Sequence, residues 1–103
     1  MTPRVRRETA TVGADGPRLR LLYATDLHLG LPWTKRVAEA LATAADAEAP
    51  DAVLLGGDLV DRARGLGELE DCVRALAARR PVAAVAGNHD PAAGLAAVRG
   101  AVV

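Results

Sequence analysis

Ala52-Val53-Leu54-Leu55-Gly56-Gly57-Asp58 is the stretch on which the reading of this 103-residue chain turns. Four consecutive apolar residues bounded by Asp51 and a glycine pair fit a short strand covered on both faces, as strands of a parallel sheet are. The glycines let the backbone approach whatever Asp58 holds at the end of that strand. The same arrangement recurs on either side. Upstream, Arg18 to Thr25 becomes continuously apolar toward its end and meets Asp26-Leu27-His28; downstream, Val82 to Ala86 leads into Gly87-Asn88-His89-Asp90. Asp26 and Asp58 are 32 residues apart and Asp58 and Asn88 are 30, each the length of a strand, a crossover helix and a return strand.

The segments between the strands carry helical spacing. Thr34 is placed to cap a helix running to about Ala49, with Val37, Leu41, Ala44 and Ala45 on one face and Pro50 as its stop. A second helix is expected from about Leu66 to Arg79, with Leu66, Leu69, Val73, Leu76 and Ala77 inward. Glu68, Glu70, Asp71 and the Arg79-Arg80 pair read as solvated. Pro91 opens a short third helix to about Arg99, and Ala101-Val102-Val103 begins another strand. At the other end, Arg4 to Val12 reads as a polar edge strand, joined through Gly13-Ala14-Asp15-Gly16-Pro17 to the next in an N-terminal hairpin. Two successive right-handed crossovers make an α/β fold with a mostly parallel sheet and flanking helices. Residues beyond the carboxyl ends of its strands converge on one edge.

Composition narrows the function. Residues 1–103 are enough for one small domain, and half of them are apolar. Thirteen basic and thirteen acidic residues, spread without blocks, leave no electrostatic signature of nucleic acid or anionic membrane. The single cysteine, Cys72, lies in the second helical pattern and reads as a buried, inert thiol, which fits a reducing cytoplasm. Neither a secretory signal nor a membrane-spanning run is present in these residues.

Carboxylate, imidazole and amide oxygen gathered on one edge suit a pair of divalent cations. Asp58, leaving the middle strand, can present both oxygens and bridge them at a separation of roughly 3.5 to 4 Å. Asp26 and His28 reach the first metal if the backbone turns between them, and Asn88 offers the second an amide oxygen. Cations on either side of a water bring its pKa toward neutrality and neutralise phosphate oxygens. His89 is the candidate acid for the leaving alkoxide, Asp61 can orient it, and Arg62 is placed to clamp a phosphate oxygen.

Asp26-Leu27-His28, Gly57-Asp58 with Asp61-Arg62, and Gly87-Asn88-His89-Asp90 resemble, in order and spacing, the first three motifs of the calcineurin-like metallophosphoesterases, over residues 18–103. The resemblance implies the N-terminal half of an αββα sandwich, with Asp26, His28, Asp58 and Asn88 as metal ligands and His89 as the acid. It implies hydrolysis of phosphomonoesters or phosphodiesters by a dinuclear Mn, Fe or Zn centre, closest to the small bacterial phosphodiesterase-like members. That family completes its site with a further histidine and a Gly-His-Xaa-His segment, whereas the histidines here are His28 and His89. The expectation is therefore a fragment or truncated reading frame that lacks its C-terminal half as a partner and holds at most one metal weakly. The alternative function is a catalytically incompetent metal- or phosphate-binding module. A doubly wound nucleotide-binding domain fits poorly, because Thr25-Asp26-Leu27 puts an acid where backbone amides should meet phosphate.

Overall fold

The computed structural model describes residues 5–11, 13, 15–61 and 64–85. The three apolar runs form strands β1 (Leu21–Ala24), β2 (Ala52–Leu55) and β3 (Val82–Ala84), all parallel, with β2 in the centre. Leu21 to Ala24 lie opposite Ala52 to Leu55, and Val53 to Leu55 opposite Val82 to Ala84. Helices α1 (Thr34–Glu48) and α2 (Gly65–Ala77) make the two crossovers. None of the helices described is long and apolar enough to cross a membrane.

Side chains alternate between the faces of a strand, so the register defines two surfaces. Leu22, Ala24, Val53, Leu55, Val82 and Ala84 share one face and belong to the core or pack against it. Leu41 and Ala45 of α1 and Leu69, Val73 and Leu76 of α2 meet them there, with Val37, Ala38 and Leu66 at the margin. Both helices therefore cover the same side of the sheet. On the other face Leu21 and Tyr23 remain 53% and 62% exposed.

Several expectations are corrected. The N-terminal strand of the hairpin does not form over residues 5–11, which are exposed and without regular structure. Val5-Arg6-Arg7-Glu8 has too few apolar residues to bury a face; Arg7 instead pairs with Glu48 at the end of α1. Hydrogen bonding to Arg7 lowers the Glu48 pKa and raises that of Arg7. The strand expected over 18–25 is reduced to Leu21–Ala24 and, among the described residues, lies at an edge with one face open, rather than being covered on both. Ahead of it, Arg20 and Asp51 exchange backbone and carboxylate bonds at 2.7 and 2.8 Å, which fixes where the β1–β2 ladder starts.

Thr34 is the first helical residue, not the cap. Its buried hydroxyl accepts from the Gly30 amide at 3.0 Å and donates to the Leu31 carbonyl at 2.9 Å, closing the loop that precedes α1. The end of α1 behaves as read: Ala49 turns left-handed at φ 46° just before Pro50. Ala77 faces outward. The Arg80 side chain is 8% exposed and lies 3.6 Å from Asp46 of α1, so it is not solvated. The third helix, the last strand, Arg62, Asn88 and His89 lie outside the described residues.

Candidate metal centre

Strand pairing does not stop at Ala24 and Leu55. The Gly56 amide donates to the Ala24 carbonyl at 2.7 Å, Asp26 to Gly57 at 3.0 Å, His28 to Asp58 at 3.1 Å and Leu29 to Leu59 at 2.9 Å. Asp61 then donates back to Leu29 at 2.8 Å, and Leu29 and Val60 form a parallel bridge. The two loops leaving the sheet thus continue side by side as a distorted ladder.

Their side chains divide by chemistry. Leu27, Leu29, Leu59 and Val60 are buried in the core. Each contributes roughly 1.5 to 3 kcal/mol of apolar burial, which holds the loops down. Asp26, His28 and Asp58 are left on the solvent side of these anchors, partly or fully exposed. One donor atom from each of the three can be chosen so that all lie within 4.8 Å of one another.

The backbone is bent to achieve this. Asp26, His28 and Asp58 have φ of 57°, 47° and 49°, the left-handed region that residues with a Cβ seldom enter. Gly57, between the strand end and Asp58, sits at φ 109°, where a side chain would be strained. Such strain persists only where surrounding structure over-determines it, here the cross-loop amide bonds and the leucine anchors.

Two carboxylates and one imidazole within that spacing fit a hard or borderline divalent cation such as Mn, Fe or Zn. His28 is oriented within the cluster: its Nε2 lies 3.8 Å from Asp26 Oδ1, and its Nδ1 lies 3.2 Å from Asp61 Oδ1. Cys72 takes no part. Burial in α2 pushes its thiol up to about 11, which leaves it neither a ready nucleophile nor a thiolate ligand near neutral pH.

Of the residues expected at the site, the structure brings together Asp26, His28 and Asp58, and sets Asp61 against His28. Three supporting features escaped the sequence reading. The first is the set of buried loop residues, signalled by the alternation of polar and apolar residues in Asp26-Leu27-His28-Leu29 that continues the strand period. The second is the task of the Thr34 hydroxyl, which closes the loop before α1 instead of capping the helix. The third is Gly65, the first residue of α2, which packs on the backbone of Leu29 and Gly30 so closely that a Cβ there would come within 3.0 Å of three backbone atoms.

Residues 19–100 match a family model described as Calcineurin-like phosphoesterase. Comparison with curated proteins gives no match.

Proposed function

The chain belongs to the calcineurin-like phosphoesterase family, and from that premise we propose that its site serves metal-dependent hydrolysis of phosphomonoesters or phosphodiesters. The α/β sheet with two helices on one side is consistent with half of that family's fold. The observation that carries the reading is the convergence of Asp26, His28 and Asp58 at the carboxyl edge of the sheet.

Divalent cations bound there would supply an ionisable water at neutral pH and neutralise charge on the phosphate oxygens. The chain's own residues do the rest. Asp26, His28 and Asp58 would hold a cation with their carboxylates and imidazole, and Asn88 would add a neutral amide oxygen for a second. His89 protonates the departing alkoxide, and Arg62 holds a phosphate oxygen through its guanidinium. These roles are the ones the family resemblance implies for the matching motifs.

The sequence contains two histidines. The family resemblance implies more histidine ligands than these for a complete dinuclear centre, so the expectation is that Asp26, His28 and Asp58 hold one cation weakly, with little turnover. A reducing, cytoplasmic setting goes with the buried free thiol of Cys72.

Calorimetric titration with Mn²⁺ tests the reading. The chain should bind one equivalent, and Asp58→Asn should weaken binding at least about tenfold, since a charged ligand becomes a neutral one. Equal affinity of the two proteins, or no binding by either, would remove the metal site. Hydrolysis of bis(4-nitrophenyl) phosphate above the Asp58→Asn control would show that the chain needs no further ligands.

A further inference from the structure

We infer that Asp61 is the positioning residue for the ligand His28: its carboxylate accepts the Nδ1–H of the imidazole and so presents Nε2, with its lone pair, to the cation held by Asp26 and Asp58. The inference rests on the metal-dependent reading above and assigns Asp61 a task within it beyond the orientation of His89.

The geometry points one way. The two ring nitrogens of His28 face different carboxylates, Nδ1 toward Asp61 at 3.2 Å and Nε2 toward Asp26 at 3.8 Å. The nearer distance is a hydrogen bond, and the longer one leaves Nε2 on the side of the ligand cluster. A neutral imidazole carries one proton, and an ionised carboxylate can only accept. With Asp61 as acceptor, the proton is placed on Nδ1, and Nε2 becomes the electron-pair donor. Free imidazole side chains favour the opposite tautomer, so a ligand presenting Nε2 gains from a partner that reverses the preference.

Asp61 is itself held in place. Its amide donates to the Leu29 carbonyl at 2.8 Å, and the preceding residue, the buried Val60, bridges to Leu29. The carboxylate is therefore fixed to the backbone one residue beyond His28. Because Asp61 lies on the Asp58 loop and His28 on the Asp26 loop, the bond also ties the two ligand-bearing segments together through side chains. Partners of this kind, which touch a ligand without touching the metal, orient the ring and raise its basicity, and their loss typically weakens metal binding about 10- to 100-fold.

Long-range ¹H–¹⁵N correlation spectra of the metal-free chain at about pH 8, where an ordinary imidazole is neutral, report the tautomer directly. His28→Gln assigns the signals. The wild type should show His28 protonated at Nδ1, and Asp61→Ala should return it to a mixture dominated by the Nε2–H form. Mn²⁺ affinity should fall about 10- to 100-fold in Asp61→Ala and less in Asp61→Asn, whose amide oxygen still accepts the Nδ1–H. Wild-type His28 in the Nε2–H form, with Mn²⁺ binding intact, would overturn this inference alone. So would equal losses in the two variants, which would reduce Asp61 to one more negative charge. Absence of Mn²⁺ binding by the wild type would overturn the functional reading and this inference with it.

Discussion

At Asp58 the chain accepts a backbone conformation that the side chain resists. A left-handed φ of 49° on a residue with a Cβ costs about 1 to 2 kcal/mol relative to the ordinary regions, and Asp26 and His28 bear the same burden at 57° and 47°. Asparagine and aspartate tolerate this region better than alanine because their short polar groups can bond locally, and glycine tolerates it freely. In the metal-free protein, Asp58→Ala should therefore be about 1 kcal/mol less stable than Asp58→Gly in urea denaturation. Both variants lose the carboxylate, so their difference isolates the backbone. Equal stability of the two, or a more stable alanine variant, would show that the left-handed turn stores no strain. The three candidate ligands thus stand among the residues whose local preference is overruled by their surroundings.

At the scale of elements, the close seat of α2 on the first loop sets the limits. Gly65 presses on the Leu29–Gly30 backbone, where no flexible side chain is available to yield. Gly65→Ala should cost about 1 to 3 kcal/mol through displacement of that backbone, and should weaken Mn²⁺ binding because His28 adjoins Leu29. Gly67, two residues on, has open space where a Cβ would stand and supplies the control, as Gly67→Ala should be neutral or stabilising. A smaller loss at Gly65 than at Gly67 would refute the packing argument. The contrast also shows what the sequence could disclose. β2 was legible because Ala52-Val53-Leu54-Leu55 is apolar throughout and bounded by turn residues, and α1 because Leu41 and Ala45 recur at helical spacing. The meeting of Asp26, His28 and Asp58 followed from parallel strands ending at one edge. The close approach of Gly65 was not legible, because its nearness to Leu29 depends on where two distant segments are brought by the sheet. Residues 4–12 misled for a related reason: the turn residues Gly13 to Pro17 suggested a hairpin, but Val5 and Ala10 are too little apolar surface to hold residues 5–11 against the sheet.

Across the whole molecule the two faces of the sheet are unequal. Helices cover Val53, Leu55, Val82 and Ala84, whereas Leu21, Tyr23 and Val85 stand 53%, 62% and 59% exposed, and β1 forms an edge among the described strands. Apolar surface beside an open strand edge favours non-specific association. Replacing Leu21 and Tyr23 together by threonine, a polar residue whose β-branched shape strands accept, should raise the concentration at which light scattering begins. An unchanged onset would mean that this face does not drive association. The interlocked amides running past Ala24 and Leu55 bear on the capture of an ion. Each of those protons is already committed to a neighbour's oxygen, so the main-chain freedom around Asp26, His28 and Asp58 is surrendered when the sheet folds. A cation arriving later would meet a cradle with little left to arrange, so its affinity would be set by charge and donor geometry more than by the entropy of assembling the loops.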